Sequence, residues 1–199
     1  MASSLYYEGE VAFDAPGAGK PCKTWYKVYG SLESHPGPAL VVLHGGPGAG
    51  HEYLSPLVDI YEKYNVPIVF YDQVGCGRST HFRDKVGDTA FWTFELFIRE
   101  LDNLVDHLQL RTKGFCLIGQ SWGGMLGGAY ASFQPRGLKK LVLSGAPASI
   151  PLLAKGAREL LAALPEPART TLEECDKRGD HESEEFENAA KEFYARHVC

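Results

Sequence analysis

The stretch Phe115-Cys116-Leu117-Ile118-Gly119-Gln120-Ser121-Trp122-Gly123-Gly124 decides the fold. Phe115 to Ile118 form an apolar run that reads as a buried parallel strand. Met125 to Ala131, small and apolar, read as a helix lying close on a sheet. Between them Gly119-Gln120-Ser121-Trp122-Gly123 places Gly-x-Ser-x-Gly at a strand-to-helix corner, the context that a nucleophile elbow requires. So sharp a turn strains the serine, and the positions two residues either side must be small. Gly119 and Gly123 meet that demand. The hydroxyl then stands beside a helix N-terminus, whose dipole favours a developing anion. The pentapeptide can also be a plain Gly-rich turn; the flanking strand and helix favour the chemical reading.

Working outward, Ala39 to Leu43 read as a second buried strand, running into His44-Gly45-Gly46-Pro47-Gly48. A Gly-rich loop at a strand's carboxyl end exposes backbone N–H groups suited to an oxyanion. His44 could be a general base, but a histidine that buttresses the loop is the preferred reading. Pro67 to Tyr71 read as a third such strand, ending in Asp72-Gln73-Val74-Gly75-Cys76-Gly77-Arg78-Ser79. Asp72 and Arg78 could contact a substrate; bracing of the loops beside the elbow is preferred. Upstream, Tyr6 to Phe13 and Cys22 to Tyr29 read as two antiparallel strands around a turn-rich loop. The Gly17-Ala18-Gly19-Lys20 within that loop is not a phosphate loop, because Asp14 and Pro21 replace the required Gly and Ser/Thr.

Residues 51–64 read as a helix with Tyr53, Leu54, Leu57, Ile60, Tyr61 and Tyr64 on one side. His51-Glu52 is no zinc motif, since Ser55 stands where the second histidine belongs. Residues 92–110 give the clearest helix, with Phe94, Phe97, Ile98, Leu101, Leu104, Val105 and Leu108 on the helical period and His107 near its end. The helix after the elbow is expected to run to about Gln134, stopped by Pro135. Gly123, Gly124, Gly127 and Gly128 are expected to bring it close to the sheet. Leu138 to Ser144 complete the strands.

After Pro151 the chain turns charged and helical over 152–163 and 168–198. Phe186, Ala189, Ala190, Phe193 and Tyr194 recur at helical spacing. The strand–helix alternation over 39–145 specifies an α/β fold with a mostly parallel sheet and helices on both faces. The expected division is 1–150 for the core and 151–199 for a helical layer. The 199 residues suffice for a substantial core, and a net charge of -5 argues against non-specific nucleic-acid binding. No basic-then-apolar leader and no bilayer-length apolar run is present. Five scattered cysteines fit reduced thiols, so the cytoplasm is expected, with no membrane association.

Ligands of such folds bind beyond the carboxyl ends of the strands, where all three Gly-rich motifs fall. His44-Gly-Gly-Pro-Gly48, Asp72-Gln-x-Gly-x-Gly-x-Ser79 and Gly119-x-Ser-Trp-Gly-Gly124, in this order, resemble the prolyl aminopeptidases (proline iminopeptidases) of the α/β-hydrolase superfamily. The resemblance spans nearly the whole chain. It implies Ser121 as nucleophile, the N–H groups of Gly46 and Trp122 as oxyanion hole, and release of an N-terminal proline or similar residue from peptides and amides. It implies an acyl-enzyme with neither metal nor cofactor, and the start of a cap domain after about Pro151.

In this superfamily the acid and base follow the nucleophile as Asp then His, beyond the cap. Asp176, Asp180, His181 and His197 keep that order but lie in cap-like helices, so no triad partner is assigned. The expectation is a chain truncated within the cap, with Leu141-Val142-Leu143 on an uncovered edge strand and little or no peptidase activity. Another α/β hydrolase (esterase or amidase) and a non-catalytic binding module are the alternatives. Oligomeric state is not legible.

Overall fold

Alternate residues of the central strands point to opposite faces, and each face is covered by a different set of helices. The computed structural model describes residues 6–198. Strands β1 (Tyr6–Phe13) and β2 (Cys22–Tyr29) pair antiparallel, with Phe13 opposite Cys22. β2 pairs antiparallel with β4 (Ile68–Tyr71), and β4 is parallel to β3 (Ala39–Leu43). β3, β5 (Phe115–Gln120) and β6 (Leu138–Ser144) continue the parallel array. The order among the described residues is β1-β2-β4-β3-β5-β6. The expected strand boundaries hold, apart from Pro67, which precedes β4, and Gly119 and Gln120, which extend β5.

Val41 and Leu43 of β3 and Val69 and Tyr71 of β4 pack on the face covered by helix α2 (Phe94–His107), through Leu101, Leu104 and Val105. Leu40, Val42, Ile68 and Phe70 pack on the other face, under residues 54–61. This two-sided burial is why both strands are continuously apolar. Thr93 caps α2 by accepting the Leu96 N–H at 3.2 Å.

The expected single helix over 51–64 is divided. Glu52–Leu57 is a 3-10 turn and only Val58–Tyr64 (α1) is α-helical. Pro56 sits inside the 3-10 turn, where its missing N–H breaks an α-helical ladder. Tyr53 and Tyr64 consequently leave the apolar side and are 46% and 72% exposed.

Helix α3 (Trp122–Ser132) ends two residues early, and Gln134 takes a left-handed φ of 52° before Pro135. Added methyl groups on Gly123, Gly124 and Gly127 would meet β3, Ala146 and Leu141 respectively, but one on Gly128 would meet nothing within 4 Å. Gly128 therefore has no part in the close approach. β6 ends the sheet, and its Val142 and Leu143 are exposed.

The chain divides into two compact units, the first ending at Pro147 and the second starting at Ala148. The second holds α4 (Ile150–Ala162), α5 (Ala168–Arg178) and α6 (Glu184–His197). The expected run over 168–198 is two helices, because Gly179 closes α5 in the left-handed region and Ser183 caps α6. Leu164, Ala168, Leu172, Ala189 and Ala190 form its core with Phe186 and Phe193, while Tyr194 faces solvent. Among the described residues no helix is long and apolar enough to cross a membrane.

Candidate active site

Ser121 stands at the corner between β5 and α3 with φ 53° and ψ -119°. Its N–H donates to the Ser144 carbonyl at 2.9 Å, and its carbonyl accepts from Gly124 and Met125 at 2.9 and 3.1 Å. Neighbouring backbone leaves no room for side chains. A Cβ on Gly119 would overlap the Gly123 carbonyl, and one on Gly123 would overlap the Leu43 carbonyl. Gly124 is equally constrained, by the Ala146 methyl group. The small-residue requirement thus extends one position beyond the pentapeptide. Trp122 is the first residue of α3, where a helix leaves its N–H groups unsatisfied.

The loop after β3 is held peptide by peptide. His44 is completely buried; its Nε2 accepts the Gln73 N–H at 3.0 Å, which places the ring proton on Nδ1. Nδ1 then donates to the Gly45 carbonyl at 2.9 Å. Burial lowers the pKa of His44 and keeps it neutral, the state that both bonds require. His44 buttresses the loop, as preferred from the sequence. In a planar trans peptide, fixing the Gly45 carbonyl aims the Gly46 N–H the opposite way. Among the described residues, neither the Gly46 nor the Trp122 N–H has a protein acceptor.

Gln73 joins the three motifs. Its side-chain amide donates to the His44 carbonyl at 3.2 Å, and its oxygen accepts from the Trp122 indole at 3.0 Å. Asp72, fully buried, accepts from the His51 N–H (3.0 Å), His51 Nδ1 (2.8 Å) and the Arg78 N–H (2.9 Å). Burial alone would raise its pKa, but these donors outweigh that and hold it below the ordinary value. Asp72 therefore braces both loops. Arg78 pairs with Glu8 at 2.7 Å and lies over the Trp25 ring, so it does not face Asp72 through its side chain. His51, Glu52 and Asp72 could together ligate a metal ion, yet the Asp72 carboxylate is already occupied by three N–H donors.

Beneath this loop Glu100 is completely buried, accepting from Thr24 Oγ1 at 2.5 Å and the Val74 N–H at 2.9 Å. Desolvation pushes its pKa up to about 8. No motif singles out Glu100, although it lies three residues after Phe97 and four before Leu104, on the apolar stripe of α2. A carboxylate in that stripe was the available signal. Cys76, 3.5 Å from His44 Nε2, is pushed up to about 12 by burial and by Asp72, so its thiol is unreactive.

Ser121 Oγ has no hydrogen-bond partner among the described residues. His181 and Asp176 pair with each other at 3.2 Å on the surface of the second unit, and His197 packs on Phe193. Asp180 accepts from the Ser183 N–H ahead of α6. Each has a local explanation. A cleft of about 810 Å³ includes Ala39, Pro67 and Gly114 at the amino ends of the strands, opposite the three motifs.

A serine forced into a left-handed corner between a parallel strand and a helix, with small residues packed on either side of it, marks the α/β hydrolase fold. Residues 38–198 match the α/β hydrolase fold family, and the chain belongs to it. Within that family it is 36% identical over 173 residues to a proline iminopeptidase of Saccharolobus solfataricus, covering 87% of this chain and 52% of the relative. It is 37% identical over 178 residues to a proline iminopeptidase of Clostridium botulinum, covering 89% and 58%. Among solved structures, VinJ superposes with a TM-score of 0.87 at 42% identity, over 97% of this chain and 62% of that one. A proline iminopeptidase of Mycobacterium smegmatis gives 0.82 at 36%, over 96% and 62%. The chain spans about half the length of the curated relatives it matches.

Proposed function

We propose that this chain carries the nucleophile and oxyanion-binding part of a serine hydrolase that releases N-terminal proline, or a similar residue, from peptides and amides. The observation that carries this reading is the strained Ser121 corner, together with the N–H groups of Gly46 and Trp122, which have no acceptor among the described residues. The relatives named proline iminopeptidase support the substrate class. Ser121 Oγ attacks the carbonyl carbon of the first residue, and the carbonyl oxygen takes up the negative charge under the two N–H donors. Collapse of that adduct breaks the C–N bond, and the shortened peptide leaves as an amine carrying a proton. Water then cleaves the acyl-serine ester, freeing the amino acid and restoring Ser121.

A base must take the serine proton, and no residue is assigned to it or to the acid that orients it. The helical unit from Ala148 is read as the beginning of a cap domain. The absence of a partner for Ser121 Oγ among the described residues favours one second reading, a form that binds or is folded but does not turn over.

The test is hydrolysis of a prolyl chromogenic amide and of a matched acyl ester by the purified chain, with Ser121→Ala as control. Prolyl-amide turnover lost in the control supports the full reading, and His181 and His197 then become the bases to substitute. Turnover of the ester alone points to an esterase. A folded chain that hydrolyses neither supports the non-catalytic form.

A further inference from the structure

Tyr53 stands outside the core, yet its hydroxyl lies between the two loops of the site. It accepts the Gly45 N–H at 2.7 Å and donates to Gln120 Oε1 at 2.6 Å. Gln120 directly precedes Ser121. The bridge therefore ties the loop after β3 to the strand that presents the nucleophile. A second observation agrees: a Cβ on Gly45 would come within 2.6 Å of Gln120 Oε1 and 2.9 Å of the Tyr53 oxygen. The contact is closed around a glycine.

We infer that Tyr53 is a positioning residue for the oxyanion-binding loop, its hydroxyl fixing the His44–Gly45 peptide so that the next N–H, that of Gly46, is aimed at the serine corner. The His44–Gly45 peptide is gripped at both ends, by Gln73 at its carbonyl and by Tyr53 at its N–H. The Gly45–Gly46 peptide is gripped at its carbonyl, by His44 Nδ1 and by the Ala49 N–H at 3.3 Å. Two consecutive peptide planes held in this way leave Gly45 no freedom to rotate between them. Removing the Tyr53 hydroxyl frees the first plane and leaves the Gly45 N–H without its protein acceptor. Glycine is the residue least able to hold its own conformation once such bonds are lost.

The inference rests on the proposed role of the Gly46 N–H, so the experiment separates the two. In the ¹⁵N-labelled chain, Tyr53→Phe, Gln120→Met and the double variant are compared with the parent by amide hydrogen exchange and chemical shift. Labelling of Ser121 by an aryl fluorophosphonate is followed alongside by mass spectrometry. Either single substitution should speed Gly45 exchange about tenfold and move the Gly46 resonance, with the double variant no worse than a single one. Ser121 labelling should slow in the same proportion. Unchanged Gly45 and Gly46 signals, or additive effects of the two substitutions, would overturn the inference. So would altered loop signals with unaltered labelling. A parent chain that never labels at Ser121 would instead support the non-catalytic form, and the exchange data would then decide the clamp alone.

Discussion

Ser121 holds a backbone conformation that costs about 1–3 kcal/mol for a residue with a side chain. Three bonds sustain it: its own N–H to Ser144, and its carbonyl from Gly124 and Met125. Ser121→Gly should therefore raise the unfolding free energy by about 1 kcal/mol in urea titrations, after the greater entropy of an unfolded glycine is offset. Ser121→Ala, which keeps the Cβ and hence the strain, should be neutral. Equal stability of all three would show that the corner stores no strain. At this scale the sequence is only partly informative. Ser121, Gly119 and Gly123 stand out because strain and crowding leave a compositional mark. Tyr53, Gln73 and Gln120 do not, because a hydroxyl or an amide that bridges distant loops looks like any other polar group.

Helix α3 shows how four glycines close in sequence differ in duty. Gly123 and Gly124 lie against backbone or methyl groups, and a Cβ on Gly127 would come 3.0 Å from Leu141 Cδ1; Gly128 faces open space. Gly128→Ala should stabilise the chain by about 0.5–1 kcal/mol, the ordinary gain of alanine over glycine in a helix. Gly119→Ala, by contrast, drives a methyl into the Gly123 carbonyl and should destabilise by about 3 kcal/mol or more. Thermal unfolding of the two variants checks both. A destabilised Gly128→Ala would mean that the outer face of α3 is covered. The division of 51–64 is an element-scale lesson of the same kind. The apolar spacing was correct for Leu54, Leu57, Ile60 and Tyr61, but Pro56 overrode the periodicity for Tyr53.

For the molecule as a whole, Glu100 is a buried carboxyl whose titration ties stability to pH near neutrality. Its carboxyl holds a proton up to about pH 8 in the folded chain, against 4.5 ordinarily. Between those values the folded state binds a proton that the unfolded state has released, so stability is complete below the lower value and is lost as pH rises through the upper one. The slope approaches ~1.4 kcal/mol per pH unit. His44 acts in the opposite sense, but only below its ordinary value of 6.5. The clean window is therefore 6.5 to 8. The unfolding free energy should fall across it in the parent and stay level in Glu100→Gln, whose amide oxygen can still accept from Thr24 and Val74. A parent profile that is flat in denaturant titrations would mean that Glu100 is ionised throughout.

The sequence by itself determined the sheet, the corner and the family. Apolar runs of four to six residues ending in glycine-rich loops follow from backbone sterics and burial, and both are written locally in the residues. Only the tertiary structure decided which polar groups meet beyond the strand ends. His44, Gln73, Trp122, Tyr53 and Gln120 come from four separate segments, and no local preference encodes their pairing. Their hydrogen bonds exist because β3, β4 and β5 lie side by side in a parallel sheet, which brings the loops that follow them to one end.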